Sequence, residues 1–200
     1  MQAVTIVDGA LAWREHPDLV PGAGEVLVEV QAAGLNGADR LQVAGLYPPP
    51  PGSPVDIPGL ELAGQVAALG PGVTRVAVGD RVMAVVGGGG QAEQAVVHES
   101  HLLRVPDGID WHAAGGFPEV YTTAFDALFT QADLSVGEAV CIHGAAGGVG
   151  MAAVQLALAA GARVTATVRD PERRADVATT GAHAVAPDDF GEHGPFDVIL

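Results

Sequence analysis

Lysine is absent from the 200-residue chain: its nine basic residues are all arginine, against 24 acidic ones, for a formal net charge of −15. A surface of that sign repels phosphodiester backbones and anionic lipid headgroups, which argues against nucleic-acid and membrane-surface partners. The single cysteine, Cys141, excludes an intramolecular disulfide and a thiolate-rich zinc centre. Aromatic residues make up only 4%, and Trp13 and Trp111 lie too far apart in sequence to suggest a stacking platform. No apolar run approaches the roughly 18 residues of a membrane span; the best, 149–160, is too short. Residues 1–10 have no basic segment and carry Asp8 where an export signal needs apolar residues, so the cytoplasm is the expected location.

What remains is a globular composition, 48% hydrophobic and 16% charged. The 28 glycines and 14 prolines cluster between apolar runs without a collagen-like period. In 25–34, Val26, Val28 and Val30 recur at every second position, the period of a half-buried strand. Segments 61–69, 80–86, 92–97 and 102–105 repeat that signal between Pro-Gly, Gly-Asp and Pro-Asp-Gly turns. Short strands at close spacing predict a small barrel-like β domain. One helix interrupts them, with Asn36 as N-cap and Ala38, Leu41 and Val43 as its apolar stripe.

The pattern changes after Asp110. Helices are expected at 111–116 and 118–130, then strand 139–143, a glycine turn, helix 149–160, strand 163–168, helix 171–179 and strands 183–186 and 196–200. Alternation at this spacing means parallel strands with right-handed crossovers. The fold class is therefore α/β, with a boundary near 108–118. A doubly wound sheet normally has six strands and four are visible. Two further βα units at about 30 residues each would complete it, so the chain reads as a fragment.

Residues 139–150 read AVCIHGAAGGVG. Three glycines alone say little, but here they lie between a buried strand and an apolar helix, which is the context a dinucleotide site requires. Gly147 is expected to turn the chain, Gly148 to admit a pyrophosphate and Gly150 to let helix pack on strand. The N–H groups at the helix start then donate to phosphate oxygens, which makes Ala145, Ala146, Gly147, Gly148, Val149 and Gly150 candidate cofactor contacts. If the second strand ends at Val168, Arg169 follows its tip and Arg173 lies one helical turn on. Two guanidinium groups suit a 2′-phosphate, so NADPH is favoured over NADH. Asp170 stands against this, since a shift of one or two residues would make it the acid that binds an NAD ribose. Arg169 and Arg173 are also compatible with a solvated helix start.

These residues, with 33–58 (AGLNGADRLQVAGLYPPPPGSPVDIP), 59–70 (GLELAGQVAALG), 78–86 (VGDRVMAVV) and 118–128 (PEVYTTAFDAL), carry a family resemblance. The chain resembles the medium-chain dehydrogenase/reductase superfamily, specifically its zinc-free NADPH:quinone oxidoreductase branch. NxADxxQxxGLYPPPPG and IPGLELAG look closest to the p53-inducible quinone oxidoreductase subgroup. The resemblance implies a GroES-like β-barrel catalytic domain over 1–112 and a Rossmann doubly wound parallel sheet over 113–200, with the active site in the cleft between them and a homodimer for the complete protein. It implies hydride transfer from NADPH to a quinone or a related activated alkene. Asn36 and Tyr47 fall where the family places polar groups near nicotinamide and quinone, Thr123 where it contacts the cofactor, and Arg173 where a basic residue holds the 2′-phosphate. Some relatives carry a tyrosine after the third strand; here Ala186-Pro187-Asp188 stands there, and Asp188 is unfavourable beside a 2′-phosphate.

Zinc-dependent relatives place a cysteine at the position of Asn36 and a His-Glu pair at Leu60-Glu61, so no zinc is expected. The seven histidines are scattered, and His98 and His101 sit around a strand end. Without a Lewis acid, a quinone is a more accessible hydride acceptor than an alcohol is a donor. Tyr47 is the candidate donor to the developing oxyanion or a ring-stacking partner, with Asn36 supporting; anchoring the proline run 48–51 is its alternative role. Cys141 and His143 read as packed residues of the first Rossmann strand. Glu61, an acid at the start of an apolar strand, is either a remnant of the zinc pattern or a hydrogen-bond partner in the cleft. A 2-enoyl reductase and an inactive cofactor-binding protein remain as alternatives.

Overall fold

Asp8 and Gly9 both take positive φ, 52° and 76°, the left-handed pair that closes a two-residue hairpin. In the computed structural model, which describes residues 1–200, they join strand β1 (Gln2–Val7) to antiparallel β2 (Ala10–Glu15). This hairpin leaves no burial signal in the sequence, because β2 is almost wholly exposed and carries no apolar alternation. The chain divides into two units, Met1–Glu119 and Val120–Leu200.

In the first unit, β3 (Glu25–Ala32), β4 (Glu61–Leu69), β5 (Arg81–Val85), β6 (Gln94–His98) and β7 (Leu103–Arg104) form one antiparallel sheet in the order β6-β3-β4-β5-β7. An Ala3–Ala92 bridge ties the hairpin to the segment leading into β6. The alternating valines behave as expected: Val26, Val28, Leu62, Val66, Val82 and Ala84 bury one face completely or nearly so. Helix α2 (Trp111–Gly115) packs on β3 and β4. Its approach depends on Gly115, where a Cβ would lie 2.6 Å from the Cβ of Ala32.

Helix α1 (Gly37–Val43) forms where expected, after Asn36, but its buried face is inverted. Asp39 and Gln42 are the buried residues, while Leu41 is 44% exposed. Hydrogen bonding decides this. Gln42 donates to Gly87 O at 3.1 Å and accepts from Gly59 N at 3.2 Å. Asp39 Oδ2 accepts from Asn36 N at 2.8 Å and from Gln91 Nε2 at 3.3 Å. Two loops whose backbone groups need partners are satisfied by the polar side of a short helix.

Helix α3 (Pro118–Phe125) gives way to a wider π-helical turn over Asp126–Gln131, where the expected α-helix would have run on. In the second unit, β8 (Ala139–Ile142), β9 (Arg163–Thr167), β10 (His183–Val185) and β11 (Val198–Ile199) are parallel, in the order β10-β9-β8-β11. Numbered within the unit this is 3-2-1-4, the order of a dinucleotide-binding half-sheet and its first strand across the switch point. Helices α4 (Gly148–Ala159) and α5 (Pro171–Ala178) provide crossovers. Ala152, Ala153, Val154 and Ala157 of α4 pack with Val140, Ile142, Val164 and Ala166 of the strands.

Candidate functional site

The carboxyl ends of β8 and β9 open on a cavity of about 610 Å³ whose lining includes Gly144, Ala146, Gly147, Thr167, Arg169 and Arg173. The residue that turns the chain here is Gly144, at φ 61°, rather than Gly147. Gly147 instead caps α4 in extended conformation, φ −79° and ψ 170°, and its N–H donates to Gly144 O at 2.8 Å. Ala145 N donates to Thr167 O at 3.2 Å, which ties the turn to β9. A Cβ at Gly148 would stand 3.0 Å from Val120, and one at Gly150 only 2.5 Å from Gly144 O and 2.7 Å from Ala145 Cα. Gly150 is thus the close-packing glycine, as its position in the motif predicts. The first helical N–H groups of α4, those of Gly148, Val149 and Gly150, have no intrahelical acceptor and form a donor set suited to phosphate oxygens.

Arg173 and Arg169 are both exposed at this cavity. Arg173 Nη2 donates to Ala146 O, so the α5 guanidinium is held at the glycine turn itself. Asp170, the competing ribose ligand, is the N-cap of α5, its Oδ1 accepting from Glu172 N at 2.9 Å. Asp170 also lines the cavity, as does His143, whose Nδ1 lies 3.0 Å from Thr167 Oγ1 and whose ring meets Phe190 edge-on. Arg174, absent from the sequence-based candidates, joins the site: its Nε donates to Val168 O at 3.1 Å and its Nη2 to Arg169 O at 3.4 Å. It braces the tip of β9, and no spacing signal separates it from its neighbour Arg173. Cys141 is fully buried in β8, and burial pushes its thiol pKa up, as suits a packing residue. Thr123 is exposed on α3 and does not line this cavity.

In the first unit, Tyr47 is 42% exposed and lines a cavity of about 650 Å³ together with Pro50, Ser53, Leu60 and Glu119. The proline run forms part of its wall: a Cβ at Gly87 would lie 2.4 Å from Pro50 Cγ and from Ser53 Oγ. Asn36 lines a different and smaller cavity of about 400 Å³, with Leu11, Leu35, Val43 and Pro58. Its Nδ2 donates to Glu61 Oε1 at 2.7 Å. Glu61 is 1% exposed, and its second oxygen accepts from Glu119 N at 2.9 Å. Asp39 lies beside Asn36 with its Oδ1 buried. Burial raises its carboxyl pKa, against the lowering effect of the Asn36 and Leu60 backbone N–H groups.

The residues at the positions of the zinc ligands do not fit that ion. Asn36 offers an amide already engaged with Glu61, Leu60 offers no donor, and Glu61 alone falls short of the three or four converging ligands zinc needs. The glycine turn, by contrast, fits a dinucleotide: it supplies free helix-start donors, the close-packed Gly150 and a guanidinium at the cavity edge. No helix is long and apolar enough to cross a membrane.

Comparison with known proteins agrees with the fold. Residues 22–107 match the alcohol dehydrogenase GroES-like domain family and residues 148–193 the zinc-binding dehydrogenase family. The quinone oxidoreductase of Pseudomonas aeruginosa is 41% identical over 164 residues, 82% of this chain and 50% of that protein. Erythronolide synthase EryA2 of Saccharopolyspora erythraea is 47% identical over 165 residues, 80% of this chain but 4% of the synthase. Among solved structures, CurK enoyl reductase superposes with a TM-score of 0.86 at 30% identity, covering 96% of this chain and 62% of that one. A mycobacterial protein complexed with NADPH superposes with a TM-score of 0.84 at 31% identity, covering 96% and 61%. The chain thus spans about half the length of the quinone oxidoreductase and a small part of the synthase. It belongs to the medium-chain dehydrogenase/reductase superfamily of oxidoreductases, in the quinone oxidoreductase-like branch.

Proposed function

We propose that the protein is an NADPH-dependent, zinc-independent reductase that delivers hydride to a quinone. Residues 1–112 hold the acceptor and residues 113–200 hold the cofactor. The observation that carries this is the glycine turn with Arg173 anchored on it: phosphate donors at the start of α4 and a guanidinium at the same cavity suit a pyrophosphate and a 2′-phosphate together. Bound NADPH would supply the hydride. Arg169 and Arg173 hold its 2′-phosphate, Gly148, Val149 and Gly150 the pyrophosphate, and Thr123 makes a further cofactor contact. Tyr47 supplies a phenolic O–H to the quinone oxygen that becomes negative, and Asn36 contacts the bound ligand from the neighbouring cavity it lines. With no zinc to polarise an unconjugated carbonyl, the chemistry falls to acceptors that delocalise the incoming charge themselves.

A second acceptor class has its own support in the likeness to CurK enoyl reductase. Reduction of a conjugated enoyl group uses the same cofactor site and needs only a different acceptor pocket. Steady-state oxidation of NADPH and NADH with 1,2- and 1,4-quinones, beside 2-enoyl thioesters and enones, separates the two. Turnover of quinones with NADPH preferred is expected, and Arg173→Glu should lower kcat/KM for NADPH about 100-fold while changing that for NADH only a few-fold. Enoyl turnover without quinone turnover overturns the acceptor assignment. An unchanged cofactor preference in the variant overturns the arginine assignment.

A further inference from the structure

Glu61 is a buried carboxylate that no cation neutralises. The ion pairs of the chain join Arg104 to Asp80 and the N-terminal amine to Asp18, both away from it. Its two oxygens are instead divided between neutral donors on different segments, the Asn36 side-chain amide and the Glu119 backbone N–H. The fold makes room for it: at Gly34 a Cβ would stand 2.0 Å from Glu61 Oε1 and 2.5 Å from its Cδ, so any side chain there would displace the carboxylate. A buried acid with a dedicated vacancy and two directed partners is an expensive arrangement for a position where a strand otherwise needs only an apolar residue.

We infer that Glu61 is a positioning residue that locks the Asn36 amide in one orientation, so that a ligand meets a fixed acceptor, Oδ1, at the cavity Asn36 lines. A free asparagine amide can flip and exchange its donor and acceptor ends at little cost. Here a flip would bring Oδ1 to where Nδ2 now sits, 2.7 Å from Glu61 Oε1, and set two acceptors against each other. The carboxylate, which only accepts, is the side chain that enforces this; a glutamine in its place can offer either end and tolerates both orientations. The fixed Oδ1 selects a ligand group that donates a hydrogen bond, such as a carboxamide N–H or a hydroxyl. Asn36 thereby serves as an acceptor toward the ligand, and donation to an oxyanion is left to Tyr47. Any catalytic consequence rests on the reductase assignment above, but the lock itself does not.

Asn36 is the only asparagine in the chain, so asparagine-selective 15N labelling yields a single side-chain amide. In the wild-type chain its two N–H protons should be widely separated, the one facing Glu61 shifted downfield. Glu61→Gln should narrow that separation while circular dichroism reports an unchanged fold. In quinone turnover Glu61→Gln should lower kcat roughly tenfold with little change in KM, and this loss should vanish in the Asn36→Ala background. A wild-type amide without the downfield proton overturns the lock even if every variant fails to fold. So does an amide signal that a folded Glu61→Gln leaves unmoved, or effects of the two substitutions that simply multiply. If the wild-type protein turns over no quinone, the quinone assignment fails, and the labelled amide still judges the lock.

Discussion

A single added methyl group tests the glycine turn. The Cβ of Gly150→Ala would meet Gly144 O at 2.5 Å and Ala145 Cα at 2.7 Å. Both are backbone atoms of the turn, which cannot rotate aside as a side chain can. Either α4 lifts from β8 or the turn deforms, so the substitution should cost about 1–3 kcal/mol, read as a lower urea midpoint. Because the deformed segment is the one that would cradle phosphate, NADPH affinity should fall further than stability alone accounts for. An unchanged midpoint would mean that the helix has slack there. Gly144 acts differently: its φ of 61° is what reverses the chain, a role that motif position alone assigned to Gly147.

At the scale of elements, α5 depends on the residue that precedes it. Asp170 caps it by accepting from Glu172 N, and its charge sits favourably at the helix start. Asp170→Ala should lower stability by about 1 kcal/mol, read as a drop in melting temperature, while the NADPH-over-NADH preference is retained. A switch in that preference would restore Asp170 as a ribose ligand. Strands were legible to within a residue or two: 61–69 is strand β4 in full, and in β3 the buried Val26 and Val28 show alternation recording burial directly. The exposed β2 had no such record, and α1 misled because its polar face does the docking through Asp39 and Gln42. The glycine turn was legible as a unit, since its residues are consecutive. The Glu61–Asn36 contact spans 25 positions and Arg174 is one arginine among several, so neither could be singled out before the backbone brought partners together.

At the scale of the molecule, the charge of −15 acts on everything at once. With few cations to offset them, the carboxylates repel one another across each surface, and counter-ions should relieve this. Raising salt from about 20 mM to about 300 mM shortens the screening length several-fold, so the melting temperature should rise in scanning calorimetry. A flat or falling response would mean that a few specific ion pairs outweigh the general repulsion.

The placement of the rarest side chains has an experimental use. Both tryptophans, Trp13 and Trp111, belong to the Met1–Glu119 unit, with the Arg81 guanidinium 4.3 Å above the Trp111 ring. The lone thiol, Cys141, is sealed inside the Val120–Leu200 unit. Indole emission therefore watches one half of the chain and thiol trapping the other, without an introduced label. A denaturation followed by both signals distinguishes halves that come apart in concert from halves that do so in turn.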